Sequence, residues 1–184
     1  MEIFWNRKTA ILITIVVTIA ATLFGVHRSL TKLSRELELL FYDGVFHDGY
    51  IEPGIESHLE SHADASLRLA TALLSYPELK DSAENVLERR RFLLDAVSIA
   101  DKSLAFAGLS SHVYMMTNAA QSVTLTERDS EALSQYASTI NGAETAIRKS
   151  SYNQTISVKW REQSVITGFL RIFIPVREPE PFSF

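Results

Sequence analysis

Near its N-terminus the chain reads AILITIVVTIAATLFGV from Ala10 to Val26, a run of 17 residues without a charge. A helix that crosses the hydrocarbon core of a bilayer needs about 17–25 predominantly apolar residues. Phe4 and Trp5 precede the run, where interfacial aromatic residues are expected. The run therefore predicts one membrane-spanning helix over residues 10–26, preceded by a short flank, residues 1–9.

A cleavable signal peptide is the alternative, with Arg7 and Lys8 as its basic start and residues 18–20 (TIA) as its cleavage site. The continuation of the sequence favours an uncleaved anchor. An alternating spacing of four and three residues between apolar positions begins inside the run and continues beyond Val26, where charged residues occupy the other helical faces. The apolar positions are Leu12, Val16, Ile19, Leu23, Val26, Leu30, Leu33, Leu37 and Leu40. We therefore predict that the helix leaves the bilayer and continues as an amphipathic stalk to about Phe41.

Charge does not assign the side of the membrane on which the rest of the chain lies. Arg7, Lys8 and the terminal amine precede the apolar run, and Arg28, Lys32 and Arg35 follow it. The positive-inside rule compares these flanks, and here three positive charges oppose three. The prediction is a single-pass, N-terminal anchor in a cell membrane, in contact with the lipid bilayer, with its orientation undetermined.

The stalk is the first of four long helices predicted before the C-terminal tail. The second begins with Pro53 as its first residue and ends near Pro77, after a turn flanked by the Asp-Gly pairs at 43–44 and 48–49. Its apolar face is formed by Ile55, Leu59, Ala63, Leu67, Ala70 and Leu74. The third opens with Asp81 as N-cap. Its apolar face is formed by Ala83, Val86, Leu93, Val97, Ala100 and Leu104.

The helical spacing of apolar residues is weakest over residues 108–125, where we expect the helix to continue and then to break around Thr124. The fourth helix starts at Thr126, which forms a capping-box-like pair with Asp129. Its face contains Leu133, Ala137, Ile140, Glu144, Ile147, Ser151, Gln154 and Val158. Such helices bury their apolar faces only against one another. The prediction is an all-α fold in which the membrane helix continues into an antiparallel bundle over residues 27–164.

The C-terminal residues 165–184 depart from this pattern. VITGFLRIFIPV, residues 165–176, is apolar nearly all round, and prolines at 175, 179 and 181 stop any helix. Twelve residues are too few to span a bilayer. We expect this segment to cap the bundle core, with burial in the membrane interface as the alternative.

Composition narrows the classes of function. A net charge of −4 gives nucleic acid no electrostatic reason to bind. The absence of cysteine removes disulfides, thiolate nucleophiles and Cys-based metal sites. No phosphate-binding loop or recognisable nucleophile motif is present, so the chain is expected to be no enzyme.

The weak metal candidates are His58 and His62, four residues apart on one helical face. The zinc-protease motif places Glu directly after the first His, where Leu59 stands, and the inverted motif places it directly before the second, where Ser61 stands. The sequence names no third ligand. We expect two solvated histidines, and assign no metal and no cofactor.

Arg90 and Glu144 stand at otherwise apolar helical positions. A buried, unpaired charge is usually paired or neutralised, because its burial costs several kcal/mol. One hypothesis is that the two side chains pair, directly or through water, and set the helix register. The alternative is that both extend outward along their apolar stems.

The fourth helix contains AETAI at residues 143–147 and then Ser151-Tyr152-Asn153, and it resembles the C-terminal helix of the LemA family. In that family a Glu, an apolar residue three positions later and a Tyr-Asn pair recur in this order. The ending SVITGFLRIFIPVREPEPF is similar to the family's Pro-containing close with its terminal Phe. The resemblance is confined to residues 133–182, since the family's Leu-Ile-Pro-Asn-Leu and Phe-Pro stretches have no good counterpart.

The resemblance implies a bacterial, membrane-anchored helical protein without an established catalytic activity. Glu144, Tyr152 and Asn153 are the matching positions, and they are expected to serve helix packing and hydrogen bonding inside the bundle. The expected function is that of a scaffold that binds other membrane proteins or further copies of itself. Two alternatives remain: a ligand-sensing bundle for a membrane signalling partner, and a metal-dependent hydrolase that uses His58 and His62.

Overall fold

A computed structural model describes residues 7–47, 49–171 and 176–183, with side chains except at 8, 47 and 164–171. The described chain contains six helices and one two-stranded antiparallel hairpin. The helices are α1 (Arg7–Asp43), α2 (Ile55–Leu73), α3 (Lys80–Asp95), α4 (Ile99–Ala120), α5 (Glu127–Lys149) and α6 (Tyr152–Arg171). The hairpin strands are β1 (Val45–His47) and β2 (Tyr50–Glu52). The predicted all-α class, with a long apolar helix at the N-terminus, is confirmed.

The chain divides into two compact units. The first unit runs to Leu39 and includes Gln154–Pro179. The second unit consists of Leu40–Asn153 together with the chain end from Glu180.

In the first unit, the N-terminal half of α1 exposes its apolar side chains. An 18-residue window of this helix has a mean hydropathy of 2.4 and none of it is buried. Thr14, Thr18 and Thr22 donate their hydroxyl protons to carbonyl oxygens four residues earlier, at 2.8–2.9 Å, so these polar groups are satisfied within the helix. The helix is long and apolar enough to cross a membrane, and a signal sequence near the N-terminus meets the same criteria of length and composition. The predicted continuation beyond Val26 is confirmed, since α1 ends at Asp43.

In the second unit, α2 packs against both α3 and α5, and α3 packs against α4. The core of α2 differs slightly from the predicted face, because Leu69 and Leu73 are fully buried while Leu67 and Leu74 are only half-buried. The helix also begins at Ile55, with Gly54 rather than Pro53 at its N-terminal boundary. The predicted start of the fourth helix is confirmed, because the Thr126 hydroxyl accepts the N–H of Asp129 at 3.2 Å.

The predicted third helix is wrong beyond Asp95, because the chain leaves the helix at Ala96 and a new helix starts at Ile99. The Ser98 hydroxyl caps α4 by accepting the N–H of Asp101 at 3.0 Å. This break rotates the apolar face, so Val97 and Leu104 are exposed. The buried face of α4 contains Ile99, Ser103, Phe106, Leu109, Val113, Met116 and Ala120. Helix then stops at Ala120, ahead of the break expected around Thr124.

The predicted fourth helix is two helices, α5 and α6, separated at Ser150 and Ser151. The Glu52 carboxylate accepts the backbone N–H of Ser151 at 3.1 Å and its hydroxyl proton at 2.5 Å, and so holds the residue that precedes α6. The break moves the apolar face, so Val158 is exposed while Tyr152, Ile156 and Trp160 are buried.

The hairpin lies where the sequence predicted only a turn. Gly44 has a φ of +94°, and a Cβ there would collide with the carbonyl oxygen of Glu52. In the register, Val45 lies opposite Glu52 and Phe46 opposite Ile51. Strands of three residues are too short to show an alternating pattern in sequence.

The interpretation of residues 165–176 as a core cap or an interfacial segment falls largely outside the described part of the chain. The backbone of α6 is helical to Arg171.

Candidate functional site

A buried polar cluster forms where α2, α4 and α5 meet in the second unit. His62 of α2 is fully buried, and its Nε2 lies 3.3 Å from Oε1 of Glu144 on α5. Its Nδ1 lies 3.3 Å from the hydroxyl of Ser66, and the hydroxyl of Ser110 on α4 lies 3.4 Å from Nε2. The ring packs edge-to-face on Phe106 with 4.9 Å between centroids. We refer to His62, Ser66, Ser110 and Glu144 as the polar cluster.

The polar cluster keeps Glu144 ionised. The hydrogen bond with His62 lowers the pKa of Glu144, burial opposes this shift, and the hydroxyl of Ser110 lowers the pKa further. A charged hydrogen bond of this kind contributes about 1.5–3 kcal/mol when it is shielded from water. The pair therefore ties α2 to α5 across 82 positions of sequence.

The hypothesis that Arg90 pairs with Glu144 is wrong, because each side chain finds a separate partner on α2. The Nε of Arg90 donates to the carbonyl oxygen of Ala63 at 3.1 Å, and one terminal nitrogen lies 3.2 Å from Oδ1 of Asp64. Glu144 binds His62 instead. Both charges reach α2 because this helix packs against α3 on one side and α5 on the other.

The two histidines of the metal hypothesis have different environments. His58 is half-buried, whereas His62 is inside the core, so the expectation that both are solvated is wrong for His62. Both ring nitrogens of His62 lie within hydrogen-bonding distance of other side chains: its Nε2 is close to Glu144 and its Nδ1 is close to Ser66. Among the described residues, no group of three or more His, Cys, Asp or Glu side chains is placed to hold a metal ion.

A second site holds the end of the chain. The hydroxyl of Tyr152 donates to the carbonyl oxygen of Glu180 at 2.8 Å. The side-chain amide of Asn153 binds both backbone groups of Phe182: its oxygen accepts the N–H at 2.9 Å, and its nitrogen donates to the carbonyl at 2.5 Å. Tyr152 and Asn153 therefore bind a segment without regular secondary structure, and do not serve only as contacts between helices.

The Phe182 ring is 3% exposed and anchors this segment. Its centroid lies 5.6 Å from that of Phe41 and 6.0 Å from that of Phe106. Ser103 of α4 donates its hydroxyl proton to the carbonyl of Ser183, whose N–H lies 3.3 Å from the same oxygen.

At the other end of the segment, the Glu180 carboxylate accepts the N–H of Ala100, in the first turn of α4, at 3.1 Å. We refer to Glu180–Ser183 as the tail segment. The residues that receive it are the tail site: Phe41, Ala100, Ser103, Phe106, Tyr152 and Asn153.

The sequence pattern indicates Glu144, Tyr152 and Asn153, but gives no functional signal for Phe41, Ser103 or Phe106 and only a weak one for Phe182. The one local signal for Phe182 was an aromatic residue in an otherwise polar, proline-containing end. The walls of the tail site are apolar positions that the sequence does not distinguish from ordinary core.

An open groove of about 720 Å³ runs between the C-terminal half of α2 and the N-terminal half of α5. Arg68, Arg128 and Tyr136 line it. Asp129 also lines the groove, and hydrogen bonds from Tyr76 and Thr126 lower the pKa of its carboxyl group.

The hairpin exposes large apolar and aromatic side chains. Phe46 and Ile51 lie opposite each other on one face and are 74% and 69% exposed. Tyr50, on the other face, is 57% exposed, whereas Val45 on that face is buried. We refer to Phe46, Tyr50 and Ile51 as the hairpin surface.

Comparison with known proteins found no matching family model, no similar curated protein and no similar solved structure.

Proposed function

We propose that this chain is a membrane-anchored, non-catalytic helical protein that acts as an interaction or scaffold component of a bacterial membrane. The observation that carries the proposal is the apolar half of α1. Its large side chains stand in contact with solvent over more than half their surface, among them Ile11, Leu12, Val16 and Ile19. Removing such a surface from water is favourable by roughly 25 cal/mol per Å², and a bilayer is the environment that a helix of this length fits.

The hairpin surface supports the interaction role. Large apolar side chains that cluster on the surface of a folded unit commonly mark binding sites, and aromatic residues contribute most to such interfaces. Phe46, Tyr50 and Ile51 are exposed, while the backbone that carries them is fixed by the strand pairing and by Glu52. The resemblance of Glu144, Tyr152 and Asn153 to the LemA pattern supports the bacterial, membrane-anchored assignment.

Fractionation and labelling of the full-length chain test the anchor. A cysteine at Ser134, which is exposed on α5, is the only thiol in the chain, because the native sequence contains none. We expect full-length protein in the carbonate-washed membrane pellet. Reaction with a membrane-impermeant maleimide in intact cells would place the second unit outside, and reaction only after lysis would place it in the cytoplasm. A shortened protein in the soluble fraction would refute the anchor and identify residues 10–26 as a signal peptide.

The interaction role is tested by Phe46→Asp, with Glu60→Lys as an exposed control on α2. We expect Phe46→Asp to change the apparent mass of the protein in mild-detergent extracts of membranes, and the control to leave it unchanged. Equal apparent masses for both variants and the wild type would refute a role for the hairpin surface.

A ligand-sensing bundle is the second candidate, and the groove between α2 and α5 favours it. Arg68 and Arg128 would supply positive charge to a small anionic ligand, and Tyr136 an aromatic wall. Screening of anionic metabolites by thermal stabilisation, with Arg128→Ala as the control, separates this candidate from a scaffold. A scaffold shows no stabilisation with any of them.

A further inference from the structure

We propose that the tail site is an exchangeable docking site, which takes the tail segment of a second copy of this chain in place of its own. The proposal names the partner of the scaffold function, and it rests on that function because the anchor confines the copies to one membrane.

The tail site binds the backbone of the segment that it receives. Asn153 satisfies both backbone groups of Phe182, Tyr152 binds the carbonyl of Glu180, and Ser103 binds the backbone of Ser183. Contacts from side chains to a peptide backbone, with a pocket for one side chain, are the usual means by which domains recognise extended peptides. None of these contacts requires that the peptide belong to the same molecule.

Two side chains give the tail segment its specificity. The Phe182 ring fills an aromatic pocket between Phe41 and Phe106, and the Glu180 carboxylate lies at the N-terminal turn of α4, where the helix dipole favours negative charge. Pro181, between them, is exposed. The site therefore selects a Glu-X-Phe segment.

A second copy is the occupant that satisfies these requirements without adaptation. Its tail segment makes every contact that the chain's own segment makes, so exchange costs only the free energy of association. Confinement to one membrane raises the effective concentration of neighbouring copies and lowers that cost. The sequence between α6 and the tail segment contains Pro175 and Pro179, and proline disfavours helix and lengthens the reach of a connecting segment.

Disulfide trapping tests the exchange in full-length protein in native membranes. One copy carries Ser103→Cys and a second, with a different epitope tag, carries Ser183→Cys. Ser103 is 6% exposed, so its thiol reacts with whatever occupies the tail site. We expect mild oxidation to give the mixed dimer of the two tagged copies. Replacing Ser103→Cys by Ser134→Cys, an exposed position on α5, measures random collision.

Matched variants assign the dimer to the tail site. Phe182→Ala in the Ser183→Cys copy is expected to reduce the mixed dimer by at least about tenfold, since burial of an aromatic ring supplies more than the 1.4 kcal/mol that a tenfold change represents. Pro181→Ala, at the exposed middle position, is expected to leave its yield unchanged. A single chain that carries both Ser103→Cys and Ser183→Cys shows whether the tail segment occupies the site at all. In that chain a disulfide between the two cysteines forms whether the segment binds its own site or that of a second copy.

Two outcomes would overturn the proposal. If the doubly substituted chain closes internally while the mixed copies give no more dimer than the Ser134→Cys control, the segment is strictly internal. If neither disulfide forms, the segment does not occupy the site. Carbonate fractionation of the same membranes reports separately on the anchor, so a failure of exchange and a failure of the scaffold function give different results.

Discussion

Truncation of one aromatic ring, Phe182→Ala, is expected to destabilise the second unit by about 3 kcal/mol. Burial of a phenylalanine side chain contributes roughly 1.5–3 kcal/mol, and Phe182 is only 3% exposed. Its ring contacts with Phe41 and Phe106 lie in the favourable range of 4.5–7 Å and add about 0.5 kcal/mol or more each. The total agrees with the lower part of the range of about 3–5 kcal/mol for core Phe-to-Ala changes.

Urea unfolding of the full chain in dilute detergent, followed by far-UV circular dichroism, measures this loss. With a slope of about 2 kcal/mol per molar urea, a loss of about 3 kcal/mol lowers the midpoint by roughly 1.5 M. Phe46→Ala is the matched control, because it makes the same chemical change at a ring that is 74% exposed. We expect the control to cost less than about 0.5 kcal/mol.

Equal midpoints for Phe182→Ala and Phe46→Ala would refute this reasoning. Such a result would mean that the tail segment contributes nothing to the stability of the second unit, and the tail site would then lose its anchor residue.

Three further changes test the polar cluster, the contact between Glu52 and Ser151, and the hairpin. Because the hydrogen bond from His62 lowers the pKa of Glu144, the stabilisation is present above the ordinary pKa of glutamate and is lost as the pH falls through the lowered value. We measure the free energy of unfolding by urea between about pH 3 and 7, and expect it to fall less steeply with acidification in Glu144→Gln than in the wild type. The same fall in both proteins would exclude the His62–Glu144 pair as its cause. Glu52→Ala removes the acceptor for the N–H and hydroxyl of Ser151 and is expected to cost about 1 kcal/mol in the same assay. An unchanged free energy of unfolding would show that these hydrogen bonds do not stabilise the fold. Gly44→Ala is expected to lower the thermal stability clearly more than Gly49→Ala. Both positions have positive φ, which costs about 1 kcal/mol or more in strain for alanine, but only at Gly44 would a Cβ collide with backbone atoms. Equal losses of stability would contradict the packing of the hairpin.

Local signals in the sequence predicted what local interactions determine. The uncharged run at Ala10–Val26 predicted the long N-terminal helix, and Thr126 with Asp129 predicted the start of α5. The cap formed by Ser98 and Asp101 is a signal of the same kind. The apolar spacing of the third helix continues past this cap, and it therefore predicts the wrong apolar face for α4.

Non-local interactions account for the other errors. The break before α6 depends on Glu52, which lies 99 positions before Ser151. The partner of Glu144 is His62, at a separation of 82 positions. Periodicity describes which residues share a face, but not which faces meet, so neither pairing follows from the sequence of one helix.

The candidate site was partly foreseen. Tyr152 and Asn153 were named from the order of residues that resembles the LemA pattern, and the structure gives them a defined partner in the tail segment. That partner was not predictable, because the contacts join residues 28 and 29 positions apart through an intervening helix.

Docking of the tail segment onto residues made much earlier ties closure of the aromatic pocket to the synthesis of Phe182. Phe182 is made 76 residues after Phe106. At about 5–20 residues per second, the ribosome needs roughly 4–15 s to cover that distance. Throughout this interval the nascent chain displays the aromatic pocket without its occupant. A copy that stalls, or is cut, before Phe182 keeps the pocket open, and its exposed aromatic rings distinguish it chemically from a copy in which the pocket is filled.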